Sequence, residues 1–117
     1  MARGATNHQS GASAEEAAAR HYERAGATVV ARRWRGRGGE VDLIAERDGE
    51  TVFVEVKRAA THDEAAARLG PRQIARIHDC AAEYMATLPL GLLSPVRFDL
   101  ALVDGQGRVA VLENALH

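Results

Sequence analysis

The 117-residue sequence has few of the features that mark secreted, membrane and zinc-binding proteins. Its single cysteine, Cys80, excludes an internal disulfide and fits a reducing compartment. No apolar run approaches the roughly 20 residues that span a bilayer, and no charged-then-apolar leader is visible. The histidines show no zinc-site spacing, and no glycine-rich phosphate loop opens a helix. We therefore expect a soluble, cytoplasmic protein without a zinc site or a nucleotide-binding loop.

The sequence also lacks a net charge that would indicate a partner. With a formal net charge of −1 and a pI near 6.5, it has no global nucleic-acid signature, so such a partner must be argued from local charge. A hydrophobic content of 46% over 117 residues predicts one domain with its own core. Residues 1–11 are polar and aperiodic, which predicts a disordered tail before a single domain over residues 12–117.

A β-hairpin is the strongest local signal in the chain. Asp48-Gly49 lies between apolar, β-branched runs, a pattern typical of a two-residue hairpin turn. Counting back from this turn predicts four cross-strand pairs: Arg47 with Glu50, Ile44 with Phe53, Asp42 with Glu55, and Glu40 with Lys57. Because side chains alternate with period two, Lys57 should share the face of Glu55.

Paired acids on this hairpin indicate either a metal site or a solvated face. Carboxylates directly opposite each other lie roughly 5 Å apart and are destabilising unless they are compensated. Magnesium, which prefers oxygen ligands, would compensate Asp42 and Glu55. The alternative is a half-buried hairpin whose charged face is simply wet. A register slip of one residue would place the acids and Lys57 on opposite faces.

The remaining pattern predicts an α/β domain with the element order helix, three strands, helix, two strands. The first helix should begin at an N-cap on Ser13 and stop at Gly26. The second should run from Arg72 to about Leu88, after the glycine-proline step. Strands are predicted outside the hairpin at residues 28–31, 96–103 and 108–112.

A basic segment precedes the hairpin. Between Arg20 and Gly39 there are six arginines and one glutamate, a formal excess of five positive charges. We expect a loop here whose arginines contact phosphates, the alternative being a solvated loop. The four arginines at its centre are Arg32, Arg33, Arg35 and Arg37. Trp34 could stack on an unpaired base, but core packing is favoured. Arg68, Arg72 and Arg76, which have helical spacing, could extend this basic patch, but an ordinary exposed helix face is favoured.

Several sequence blocks resemble the YraN family of small bacterial proteins. The blocks are Gly38-Gly39-Glu40-Val41-Asp42-Leu43-Ile44-Ala45, Val52-Phe53-Val54-Glu55-Val56-Lys57, Arg97-Phe98-Asp99 and Glu113-Asn114-Ala115. The family is a group of predicted endonucleases that is distantly similar to archaeal Holliday junction resolvases of the PD-(D/E)xK superfamily. The resemblance covers roughly residues 13–116 and implies a restriction-endonuclease-like mixed sheet flanked by helices. Two departures are Ala14, where the family often has glycine, and Gln73-Ile74, where it often has a Lys-Gln pair.

The resemblance implies a role for each acidic residue and for the lysine. Asp42 and Glu55 match the two metal-binding acids, and Lys57 matches the catalytic lysine. Glu15 matches a helix glutamate that helps bind metal in related nucleases, although an acid favoured by the helix dipole is the equal alternative. Glu40 matches an acidic residue before the aspartate, and here a supporting ion pair with Lys57 is favoured. The Val56 carbonyl is expected to complete the metal site.

The implied function is a magnesium-dependent endonuclease acting on DNA, perhaps branched or structured, with Mn²⁺ able to substitute for Mg²⁺. Lys57 would orient the attacking water and offset charge on the phosphate. A homodimer is implied by analogy with the resolvases. The first alternative is a non-catalytic nucleic-acid-binding module of the same fold. The second is a structural interaction domain, in which the hairpin charges are only surface.

Overall fold

The computed structural model describes the backbone of residues 3–116 and the side chains of residues 12–116. The side chains of the predicted tail lie outside the described residues, so its boundary with the domain at residue 12 stays a prediction. The helices are α1 (Arg3–Arg24), α2 (His62–Ala66) and α3 (Pro71–Met85), with a 3₁₀ turn at Gly91–Leu93. The strands are β1 (Thr28–Gly36), β2 (Gly39–Arg47), β3 (Glu50–Arg58), β4 (Val96–Val103) and β5 (Val109–Leu112).

The five strands form one mixed sheet in the order β1-β2-β3-β4-β5. Neighbouring strands are antiparallel except β3 and β4, which are parallel. The parallel pair needs a long crossover, and α2 and α3 supply it. Helix α1 packs on one face of the sheet through Ala18, Ala19 and Tyr22, and α3 packs on the other through Cys80 and Ala81. This arrangement confirms the predicted α/β fold with a mixed sheet.

The hairpin forms in the predicted register around its turn. Arg47 faces Glu50 and Ile44 faces Phe53, with positive φ at both Asp48 and Gly49, as a two-residue turn of this type requires. The ladder ends at the pair Leu43 and Val54. Beyond that pair β2 and β3 form no regular ladder, so Asp42 and Glu55 are not the regular cross-strand pair that the sequence predicts.

Strand β1 is longer than the sequence predicts. It continues through Gly36, so the segment expected to be a basic loop lies mostly within an edge strand, and only Arg37 and Gly38 separate it from β2. The cause is Trp34, which pairs with Val41 and packs its ring edge-on against Tyr84 with 5.4 Å between centroids. The prediction that Trp34 packs in the core is confirmed. Exposed arginines along a sheet edge also discourage pairing with another strand.

In the middle of the β1–β2 ladder, the side chains of both strands stop alternating strictly between the two faces of the sheet. Residues three apart on each strand pack into the core beside α3, although strict alternation would place them on opposite faces: Ala31 and Trp34 on β1, and Val41 and Ile44 on β2. On β1 the change occurs at Arg33, whose φ of 49° lies in the left-handed region. On β2 it occurs at Asp42. The break in alternation on β2 therefore lies at an acid that the sequence identifies as functional, and it turns Val41 toward α3.

The helices differ from the predictions mainly at their ends. Helix α1 begins at Arg3, before the predicted Ser13 N-cap, and α3 starts at Pro71 as expected but ends at Met85. The short helix α2 was not predicted, although Thr61 accepts a capping hydrogen bond from the Glu64 amide. None of the helices in the described part of the chain is long and apolar enough to cross a membrane.

Candidate functional site

An open cavity lies between the start of β2, the end of β3 and the first half of α3. Its volume is about 170 Å³. The cavity is open to solvent and has room for a hydrated ion or a phosphate group. The lining residues are Gly39, Glu40, Asp42, Glu55, Gln73, Arg76 and Ile77.

The Asp42 and Glu55 carboxyl groups meet in this cavity. The Val56 amide donates a hydrogen bond to Asp42 Oδ2 at 2.8 Å. Burial and then the Glu55 carboxylate raise the pKa of Asp42 to about 7, although the Val56 amide and Lys57 oppose the shift. The predicted convergence of the two acids is present, although Asp42 and Glu55 are not a regular pair of the β2–β3 ladder.

Lys57 stands beside this acid pair. Its Nζ lies 3.2 Å from Glu55 Oε2, and the side chains of both residues are more than four-fifths buried. The predicted placement of Lys57 on the face of Glu55 is therefore correct. Lys57 is also the only lysine in a sequence that otherwise uses arginine for every basic position apart from histidine. That compositional signal singles it out without any structure.

The predicted ion pair between Glu40 and Lys57 is absent from the structure. Glu40 Oε2 instead accepts a hydrogen bond from Arg35 at 3.0 Å, and the two residues are direct partners in the β1–β2 ladder. The sequence prediction counted only the hairpin strands. It could not include β1, because the segment carrying Arg35 was interpreted as a loop.

Glu15 is placed away from the acid pair. Its Oε1 accepts a hydrogen bond from Arg33 Nε at 2.8 Å. Within residues 12–116, no group of three or more His, Cys, Asp or Glu side chains is arranged to hold a metal ion. The structure thus brings together two members of the predicted metal set, Asp42 and Glu55. The role of Glu15 as a third ligand stays a prediction.

Most of the predicted nucleic-acid-binding arginines are engaged with carboxylates. Arg32 pairs with Glu16, Arg33 with Glu15, and Arg35 with Glu40. Glu15 chiefly, and Glu40 and Asp42 at longer range, raise the pKa of Arg33, so its cation lies in the field of the site acids. The Arg37 amide donates to Glu83 Oε2 at 2.8 Å, which fixes the turn on α3. The local positive charge counted in the sequence is thus largely offset in the fold.

Arg76 and Gln73 are not among the site residues that the sequence predicts, yet both line the cavity. Arg76 was expected on an exposed helix face, and it is exposed. The helical period identifies the residues on one face of α3, but it does not show how that face is oriented relative to the sheet. Gln73 Oε1 accepts a hydrogen bond from the Gly70 amide and so also caps α3.

Glycines let α3 approach this closely. A Cβ added to Gly38 would lie 2.9 Å from Asp79 Cβ, and one added to Gly39 would lie 3.4 Å from Arg76 Cβ. Gly39 also has a φ of 143°, which disfavours other residues. The paired glycines before Glu40 therefore hold Arg76 over the start of β2.

Comparison with known proteins places the chain in a family. Residues 14–103 match the model of the uncharacterised protein family UPF0102. A UPF0102 protein of Cereibacter sphaeroides is 54% identical over 112 residues, covering 96% of each chain. Another from Ruegeria pomeroyi is 54% identical over 113 residues, covering 97% of this chain and 92% of the relative. A third, from Dinoroseobacter shibae, is 46% identical over 114 residues, covering 97% and 85%. This family is the YraN group that the sequence resembles, and the chain belongs to the UPF0102 family.

Proposed function

We propose that this protein is a metal-dependent endonuclease that hydrolyses phosphodiester bonds in DNA. One observation carries the proposal: the carboxyl groups of Asp42 and Glu55 line one open cavity, and the ammonium group of Lys57 lies 3.2 Å from Glu55 Oε2. Burying two acids side by side costs a protein free energy. Their presence in a cavity therefore favours a chemical role over a purely structural one. The relation to the PD-(D/E)xK nucleases, with its restriction-endonuclease-like fold, is part of this proposal.

The residues present fit a divalent cation. Magnesium is commonly held by one or two carboxylates together with water and substrate phosphate oxygens, and the cavity supplies two. Burial and then the Glu55 carboxylate raise the pKa of Asp42, so a cation that neutralises this pair would relieve the repulsion between the two acids. Asp42 and Glu55 would hold Mg²⁺ or Mn²⁺, with Glu15 and the Val56 carbonyl as further candidate ligands. The ion would polarise the scissile phosphate and lower the pKa of a bound water.

The other groups of the chain act by position and charge. The Val56 amide holds Asp42 Oδ2 and so keeps its carboxylate turned into the cavity. Lys57 is held by Glu55, and its remaining N–H groups are available to orient the attacking water and to stabilise charge on the phosphate oxygens. Glu40 holds Arg35 at the rim and acts as a supporting residue.

A non-catalytic nucleic-acid-binding module is the second candidate. It is favoured by the absence, among residues 12–116, of a group of three possible metal-ligating side chains. Such a module would bind nucleic acid through its arginines without turnover. A homodimer, a preference for branched DNA and a cytoplasmic location are further parts of the proposal that the resemblance implies.

A cleavage and binding assay separates these candidates. Labelled duplex, single-stranded and four-way branched DNA, and an RNA of matched sequence, are incubated with the protein in Mg²⁺, Mn²⁺ or Ca²⁺. The endonuclease proposal predicts products in Mg²⁺ or Mn²⁺ from at least one DNA. Salt-sensitive binding without products in any metal would instead support the binding module, and cleavage of RNA alone would overturn the choice of DNA.

Lys57 variants give the matched controls for this assay. Lys57→Arg keeps the positive charge near Glu55 but replaces a compact ammonium with a planar guanidinium. Lys57→Met, which removes the charge, should lower the cleavage rate at least about 100-fold, as the loss of a charge-stabilising group does elsewhere. Lys57→Arg should also lower it, because the guanidinium does not reproduce the geometry of the ammonium. The neighbouring Arg58→Met should leave it within about twofold, because surface substitutions away from a site have small effects. Full activity in Lys57→Met would contradict the assigned role.

A further inference from the structure

Arg76 differs from the arginines of β1 in its electrostatic surroundings. The ion pairs of Arg32, Arg33 and Arg35 each occupy a carboxylate, whereas Arg76 forms no ion pair with any carboxylate among residues 12–116. An arginine without a carboxylate partner keeps its full attraction for an incoming anion. An arginine that is already paired with a carboxylate must give up that partner to bind an anion, and it therefore gains less free energy from binding.

The position of Arg76 also sets it apart from the other exposed arginines. It lines the same cavity as Asp42 and Glu55, on the α3 wall. Its stem packs over Gly39, so the side chain crosses the start of β2 toward the cavity and does not extend freely from the helix. The residue thus brings a positive charge to a space that otherwise holds acidic side chains.

We propose that Arg76 on α3, and not the arginine cluster of β1, is the main contact of this chain with the nucleic-acid backbone at the carboxylate cavity. The inference deepens the proposed function and rests on it for the identity of the ligand, a phosphodiester. The guanidinium offers two parallel N–H groups that match a phosphate in a bidentate contact. The phosphate that enters the cavity would contact Arg76 on the α3 wall, and the two carboxylates would meet it through the divalent cation that they hold.

The cavity volume agrees with this division of roles. The cavity is open to solvent and measures about 170 Å³, so a backbone phosphate with its water fits beside Arg76, and a phosphate is a group that a guanidinium binds in a bidentate contact. Backbone contacts of this kind are independent of sequence and sensitive to salt. Arg72 lies one helical turn before Arg76 and is exposed, so the backbone could continue past it along α3.

The test is the salt dependence of DNA binding by the full chain in Ca²⁺. Binding of a fluorescein-labelled DNA is followed by anisotropy between about 50 and about 200 mM salt. Arg76→Met retains the stem over Gly39 and removes the charge. It is expected to weaken binding about equally for DNAs of different sequence and to reduce the magnitude of the logarithmic salt slope by about 1.

Two matched variants decide between α3 and β1. Arg35→Met, on the β1 cluster, should change the slope by less than Arg76→Met, because Arg35 is paired with Glu40. Arg47→Met, at the hairpin end of β2 and outside the cavity, should leave the slope unchanged. An unchanged slope in Arg76→Met, a larger change in Arg35→Met, or no salt-sensitive binding by the wild type would each overturn the inference.

The outcomes also separate this inference from the nuclease proposal. Cleavage by the wild type together with an unaltered slope in Arg76→Met leaves the endonuclease standing and removes the role of Arg76. An altered slope without cleavage in Mg²⁺ or Mn²⁺ keeps Arg76 as the backbone contact and removes the endonuclease. Because binding is measured in Ca²⁺, neither result depends on turnover.

Discussion

Asp42 carries the strongest electrostatic constraint of any single residue in the site. Its meeting with Glu55 could be anticipated from the hairpin turn, because period-two alternation and the Asp48-Gly49 turn fix which residues approach each other. The partner of Glu40 could not be anticipated, because it depends on Arg35 from a third strand. Local patterns thus predicted the acid pair and Lys57. The positions of Glu40, Glu15 and Arg76 depend on contacts between separate elements, which local patterns do not show.

The raised pKa of Asp42 predicts a pH dependence of folding stability in the presence of a chelator. Since the folded pKa of about 7 exceeds the ordinary value of 3.8, the folded state binds more protons between these values. The stability from protonated Asp42 is complete below about pH 4 and is lost as the pH rises through about 7. Each pKa unit corresponds to about 1.4 kcal/mol, so the loss should be about 2 to 4 kcal/mol.

Urea denaturation of Asp42→Asn measures this dependence. The asparagine keeps an oxygen for the Val56 amide and does not ionise. The unfolding free energy of the wild type minus that of Asp42→Asn should fall as the pH rises from about 5 to about 8. Glu46→Gln, exposed on the same strand, is the control and should show a much smaller change. A difference that is flat or rises with pH would contradict the assigned environment.

At the scale of elements, β1 and β2 both break their side-chain alternation next to the site, at Arg33 and Asp42. Hydrophobic alternation predicted the hairpin strands correctly, but it failed for β1, because arginines alternate with Trp34 where a half-buried strand normally shows more apolar residues. The break in alternation at Arg33 has no local sequence signal, since arginine is not favoured in the left-handed region. It is imposed by packing on α3, which holds Ala31 and Trp34 on the same side.

Glycine substitutions test the strain at this break in alternation. Arg33→Gly removes an exposed ion pair, worth at most about 1 kcal/mol, but relieves a left-handed φ that costs a similar amount. Arg32→Gly removes a similar ion pair from an extended position and adds the entropic cost of glycine in a strand, roughly 0.5–1 kcal/mol. Arg33→Gly should therefore be the more stable variant by about 1–2 kcal/mol in urea denaturation. The reverse order would show that Arg33 is not strained.

At the scale of the whole molecule, a buried hydrogen-bond network joins α1 to β4, two elements that lie far apart in the sequence. Asp99 is fully buried and accepts hydrogen bonds from the Tyr22 hydroxyl at 2.7 Å, from Arg97 and from the Asn114 amide. Asp99 pairs with Arg97, two residues away on the same strand, which period-two alternation places on the same face. The contribution of Tyr22 was not predictable, because the two residues are 77 positions apart. The same holds for the parallel pairing of β3 with β4.

Removing the Tyr22 hydroxyl should loosen this connection. Tyr22→Phe leaves one acceptor site of Asp99 unfilled while Arg97 and Asn114 remain, so we expect a loss of about 1–2 kcal/mol in unfolding free energy. Tyr84→Phe is the control, because the Tyr84 hydroxyl donates no hydrogen bond to the described residues. It should change stability by less than about 0.5 kcal/mol. Equal effects of the two substitutions would contradict a stabilising role for the network.

The central claim, that the Asp42–Glu55–Lys57 cluster hydrolyses DNA, is tested most directly by the single-turnover rate of metal-dependent cleavage. Wild type, Asp42→Asn and the control Glu46→Gln are purified in parallel, shown by circular dichroism to be folded, and mixed in excess with labelled DNA in Mn²⁺. Cleavage by the wild type and Glu46→Gln at rates within about twofold, with at least a 100-fold loss in Asp42→Asn, is the predicted result. Undiminished cleavage by Asp42→Asn, or no cleavage by the wild type in Mg²⁺ or Mn²⁺, would contradict it.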